Sequence, residues 1–164
     1  MSDEAHQPAR GAADVRLEGI HLQSAEFERV GPKKAVAEEV RGKLDLTLAR
    51  PSEDALAVQL ALHAETPDSF RAAIAYRATF SRSAEEPLVD PEQFWRNVAG
   101  MVAPNVMFPF LRATFRTLSS EAGLGEHLIM GLINPARIFK LDEIEIPPPS
   151  AEGEHQSPEQ QSPA

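Results

Sequence analysis

Cysteine is absent from this 164-residue sequence, so neither a disulfide framework nor a thiolate metal site is available, and nothing points to an oxidising compartment. The five histidines, His6, His21, His63, His127 and His155, are scattered without the spacing of a ligand set, so no metal is expected. There is no glycine-rich phosphate loop, no nucleophile with a nearby base and no carboxylate pair in an apolar setting. Those absences speak against an enzyme and against a cofactor. No apolar run approaches the roughly 18 residues of a membrane span, and the opening "MSDEAHQPARGAAD" has no apolar stretch of the signal-peptide kind. The expectation is a soluble, cytoplasmic chain with no membrane insertion.

A concentrated basic face is missing too. The formal charge is −9, of which residues 1–14 carry −2 and residues 147–164 carry −3, leaving a mildly acidic body. Nucleic-acid binding needs a positive patch to neutralise phosphates, so that class of partner is not expected. The stretch "PPPSAEGEHQSPEQQSPA" is rich in Pro, Ser, Gln and Glu and has almost nothing to bury, which predicts disorder beyond Ile146. The organisation expected is an acidic tail over 1–14, one domain over 15–146 and a second tail over 147–164.

What is present between the tails is periodicity. In "EEVRGKLDLTLA" Val40, Leu44, Leu46 and Leu48 take even positions, and Arg41, Lys43, Asp45 and Thr47 take odd ones, the period-2 signature of a half-buried strand. "ALAVQLALHA" repeats it with Leu56, Val58, Leu60 and Leu62, and "FRAAIAYRATF" with Phe70, Ala72, Ile74, Tyr76, Ala78 and Phe80. The breaks "RPSED" and "ETPDS" are short and turn-rich, so these three strands should be sequential antiparallel neighbours. An earlier stretch, "VRLEGIHLQSAEFERV", alternates with a slip of phase that a β-bulge near Gly19 would absorb. The odd face carries Ala57, Ala61, Ala73 and Ala75 among polar residues, compatible with a solvated face or a subunit contact.

After "EEPLVD" the pattern becomes helical. Asp90 suits an N-cap and Pro91 the first helical position, with Phe94, Val98 and Met101 recurring around Trp95. "MVAPNVMFPFLRATF" is as apolar as a buried helix yet contains two prolines. Pro104 is expected to end the first helix, Asn105 to cap a second over roughly 105–121, and Pro109 to fall just beyond its free first-turn donors. The second helix has a wide apolar arc, including Met107, Phe108, Leu111 and Phe115, which suits either a well-buried core helix or a helix shared with a second subunit.

At these residues the chain resembles the SecB family of export chaperones. "APNVMFPFLRATFRTLSSEAG" is similar to that family's main helix, with its Pro-Asn-aliphatic-aliphatic-Phe-Pro-aromatic run followed by Arg. "VRLEGIHLQSAEFE", "KLDL" and "FRAAIAYR" resemble its first, second and fourth strands, and "LIMGLINPARIF" its closing segment, with Asn134 and Phe139 in register. The resemblance spans about residues 15–140. It implies an α+β fold: a four-stranded antiparallel sheet, a long proline-interrupted helix and a short C-terminal helix, assembled as a dimer of dimers. It also implies an ATP-independent holdase that keeps unfolded preproteins in apolar grooves for export and passes them to the secretion motor, SecA.

The resemblance places client-binding positions at Leu44, Leu46, Leu128, Met130, Leu132 and Ile133, each of which equally suits ordinary core. It places assembly positions at Ala72, Ile74 and Tyr76 on the fourth strand, and the helix arc of Met107, Phe108, Leu111 and Phe115 joins them as a candidate interface. The motor-docking positions fall on Ser24, Glu28, Arg71 and Ala73. The family's acidic pair in the first strand is reduced here to Glu28, and its apolar and acidic positions on the fourth strand become Arg71 and Ala73. Weak docking is therefore expected. Gly131-Leu132 replaces an Ala-Pro and Pro135 replaces a Phe, so the last helix is expected to start at Pro135. Two other readings stay open: a SecB-like chaperone dedicated to a client such as an antitoxin, and a small-molecule binder on a curved sheet with a long helix.

Overall fold

A computed structural model of the chain describes residues 15–35, 40–83, 87–124 and 135–150. Its fold is α+β, one antiparallel sheet under a long helix. Strands β1 (Val15–Arg29), β2 (Arg41–Ser52), β3 (Ala55–Thr66) and β4 (Phe70–Arg82) are ordered β1-β4-β3-β2 across the sheet. Strands β2 to β4 form the expected meander, with Leu44 opposite Leu62 and Leu62 opposite Ile74. β1 pairs with β4, so the chain from β1 to β2 must cross the whole sheet. It does so past the β3–β4 turn, where Val30 N–H donates to Ser69 O at 2.9 Å. Gly31 is needed at that crossing, because a Cβ there would overlap the Asp68 carbonyl.

β1 keeps one face inward only by slipping twice. Its register shifts between Leu17 and Gly19, as the sequence predicts, and again between Leu22 and Ser24. Each extra residue flips the alternation. Leu17, then Ile20 and Leu22, then Ala25 and Phe27 therefore all lie opposite inward-facing residues of β4. Phe27 reaches the core, stacking on Phe70 at 5.2 Å and meeting Phe115 at 6.1 Å.

The helix does not break at Pro104. α1 (Pro91–Asn97) passes through one π-helical turn (Val98–Val102) directly into α2 (Ala103–Glu121). Asp90 caps α1 as expected, its carboxylate accepting from Gln93 N–H at 2.9 Å. The correction lies in how the prolines are tolerated. In the π turn Ala103 N–H reaches back five residues to Val98 O, and the widened backbone gives the Pro104 ring room beside the preceding turn. Asn105 is no N-cap; its side-chain amide donates to Met101 O at 2.8 Å. Pro109 sits on the exposed side of α2, where water can satisfy the carbonyl it leaves without a donor.

α2 lies over β4, and Met107, Phe108, Leu111 and Phe115 are buried against the inner face of the sheet. The 31 residues from Pro91 to Glu121 are long and apolar enough to cross a membrane, which the sequence reading did not anticipate, but half of the most apolar stretch is buried, the pattern of a core helix. A short helix α3 (Pro135–Ile138) does begin at Pro135, and a 3₁₀ turn (Leu141–Glu143) follows. The chain then passes along the β2 edge, where Ser150 N–H donates to Arg50 O at 2.8 Å; the rest of the expected tail, 151–164, lies outside the described residues. Proline-rich composition offered little to bury, but an edge strand supplied a partner.

Candidate functional site: a leucine-walled groove at the β2 edge

Because α2 is centred on β4, it leaves the inner face of β2 uncovered. Leu44, Leu46 and Leu48 stay half-buried there. The C-terminal segment passes alongside and encloses an open groove of about 660 Å³ between β2 and residues 138–148. Leu44, Leu46 and Leu48 form one wall, and Ile138, Phe139 and Ile146 belong to the other. Asp45 and Thr47, which alternate with the leucines along this edge strand, also border the groove. Lys140 and Glu143 pair at the rim at 2.7 Å, and that carboxylate raises the Lys140 pKa, keeping the ammonium charged.

Three contacts hold the C-terminal wall in place. Arg96 Nε donates to Ile144 O at 3.0 Å. Ile144 is only 8% exposed and packs with Leu141 against the π turn. Gly100 makes this possible, since a Cβ there would overlap Leu141 Cδ2 and lie 2.7 Å from Ile144 Cδ1. The π turn thus accommodates Pro104 and seats the segment that closes the groove.

Of the client-binding positions taken from the resemblance, Leu44 and Leu46 line this groove. Leu128, Met130, Leu132 and Ile133 lie outside the described residues. The sequence reading missed Leu48, Ile138, Phe139 and Ile146 as lining residues; the alternation that selected Leu44 and Leu46 carries Leu48 with them, while the other three had no local signal.

Of the interface positions, Ala72, Ile74, Met107, Phe108, Leu111 and Phe115 are all buried within the chain itself, because β4 and α2 cover each other. Tyr76 alone of that set stays half-buried, its hydroxyl 2.7 Å from Thr114 Oγ1 and its ring 5.9 Å from Phe110. Three exposed apolar residues lie on this side of the sheet near the β1 edge: Leu17 (43% exposed), Leu22 (49%) and Phe110 (42%).

The motor-docking positions come together on the outer face of β1 and β4. Glu28 is opposite Arg71, Ala73 opposite Glu26 and Ser24 opposite Ala75. Arg71 lies 3.9 Å from Glu28, so the one carboxylate kept at these positions faces a cation of its own sheet. Among the described residues no cluster of His, Asp or Glu could hold a metal ion.

This arrangement defines a class by shape: an α+β fold of the SecB-like kind. The chain superposes on the SecB-like chaperone of Mycobacterium tuberculosis, solved in complex with a ChAD peptide from the HigA1 antitoxin, with a TM-score of 0.61 and 18% identity, covering 73% of this chain and 88% of that one. A protein of unknown function from Streptococcus agalactiae aligns at a TM-score of 0.47 and 10% identity, covering 74% of this chain and 100% of that one. No family model and no curated protein matches the sequence. The likeness is one of fold.

Proposed function

We propose that the chain is an ATP-independent chaperone that holds unfolded or peptide segments in the β2 groove. The observation that carries this is a solvent-open trough walled by Leu44, Leu46 and Leu48 on an edge strand and by Ile138, Phe139 and Ile146 opposite, in a SecB-like fold. Holding many sequences needs exposed apolar area, at about 25 cal/mol per Å² on burial, and backbone pairing that is blind to side chains. The β2 edge offers both. Such work needs no catalytic residue and no nucleotide, and we place it in the cytoplasm.

Export is the finer reading, with clients passed to SecA by an oligomer of the dimer-of-dimers type. The exposed strip of Leu17, Leu22 and Phe110 beside the β1 edge supports self-association there rather than through the buried helix arc. A second reading, a chaperone dedicated to a client such as an antitoxin, is favoured by two observations. The structural neighbour was solved with an antitoxin peptide, and Glu28 here faces Arg71.

The test is suppression of aggregation. The full chain in excess over a chemically unfolded client should keep light scattering low without nucleotide, and Leu46→Glu, which puts a charge into the groove wall, should abolish that protection while leaving the circular dichroism spectrum intact. Undiminished protection by Leu46→Glu would move the client site elsewhere, and no protection by the unmodified chain would end the chaperone reading.

A further inference from the structure

The outer face of the sheet, opposite the groove, is arranged in rows by the strand register. One row reads Arg41, Glu65, Arg71, Glu28 from β2 to β1. The next reads Lys43, His63, Ala73, Glu26. All the charged members are exposed, with cations at the β2 edge and carboxylates at the β1 edge. A third row reads Asp45, Ala61, Ala75, Ser24, with Asp45 pairing with Lys43 of its own strand at 2.7 Å and the two alanines side by side at the centre.

We propose that this face binds a second copy of the chain, sheet against sheet, about a two-fold axis running along the strands between β3 and β4. Such an axis lays β1 of one copy over β2 of the other and keeps each row on itself. Glu28 then meets Arg41 of the second copy, Glu65 meets Arg71 and Glu26 meets Lys43, every contact occurring twice. Ala61 and Ala75 meet across the centre, where their small side chains let the sheets approach. No like charges of these rows are brought opposite one another. The reverse arrangement, with the axis across the strands, would stack unrelated rows and lose that match. Four strands about 4.8 Å apart over about ten residues at about 3.3 Å present about 600 Å² per copy, near the lower end of stable interfaces, so the association should be salt-sensitive. It does not depend on the chaperone reading, and it would cover Ser24, Glu28, Arg71 and Ala73, making motor docking and self-association mutually exclusive.

Charge exchange in the intact chain, read by sedimentation velocity over a range of protein concentrations, tests it. Glu26→Lys and Lys43→Glu should each weaken self-association on the order of tenfold, since every substitution acts at two symmetric contacts. The double variant should restore it. Within one chain these residues occupy opposite edges, three strand spacings or about 14 Å apart, so rescue must pass between copies. An association confined to the β1 edge would respond to Glu26→Lys at most, with no recovery in the double variant. That outcome, single variants that associate like the unmodified chain, or an unmodified chain whose mass does not change with concentration or salt would each overturn the proposal.

Discussion

Replacing Gly100 by Leu would separate the two roles of the π turn. The helix should gain, because Leu is about 0.8 kcal/mol better than Gly in a helix interior. The C-terminal wall should lose more. Even a Cβ at position 100 overlaps Leu141 and crowds Ile144 at 2.7 Å, so a full leucine side chain needs Ile144 to leave its site. Exposing a side chain that is now 8% accessible forfeits about 1.5–3 kcal/mol, and the Arg96 hydrogen bond to Ile144 O goes with it, at about 1 kcal/mol. The net is a destabilisation of about 2–3 kcal/mol, or about 4–12 °C in melting temperature for a chain of this size. The loss is local as well as global: hydrogen exchange at the Ile144 amide, which donates to Leu141 O at 3.3 Å, should quicken, and peptide binding in the groove should weaken as its second wall departs. A melting temperature that rises, with Ile144 still protected, would refute the packing argument and leave only helix propensity.

Truncating Phe115 to Ala should lower stability by about 3–5 kcal/mol in a denaturant titration, because its ring closes a cluster with Phe27 and Phe70 at 6.1 and 6.0 Å. If Phe115 served mainly a second subunit, the loss would depend on protein concentration, which we do not expect. Asp90→Ala removes the cap on Gln93 N–H and should lower stability by about 1 kcal/mol, with Asp90→Ser recovering most of it. Binding to SecA should be weak or absent by calorimetry at physiological salt, and Ser24→Asp with Arg71→Leu and Ala73→Glu should strengthen it, since the triple change restores two carboxylates and frees Glu28 from Arg71. Submicromolar binding by the unmodified chain, undiminished when residues 1–14 and 151–164 are removed, would contradict this.

Local periodicity by itself determined the strands, their inward residues and the capped start of the helix, because side-chain direction in a strand or helix is set by the backbone over a few residues. Leu44, Leu46, Phe70 and Phe80 could be assigned a face without knowing what covers them. What covers them was a tertiary matter. The apolar arc of Met107, Phe108, Leu111 and Phe115 reads the same whether it meets its own sheet or another subunit, and only the placement of α2 over β4 made it core. Pro104 was decided the same way, since an isolated helix would stop there while the buried part of the π turn, Val98 to Gly100, is packed in the core and against Leu141 and Ile144. Glu28 and Arg71 are 43 residues apart and carry no mutual signal until two bulges bring them into register. The groove is the furthest from local information: it exists because β2 is an edge strand that the helix does not cover, and because the C-terminal segment carrying Leu141 and Ile144 docks on Gly100 to face it.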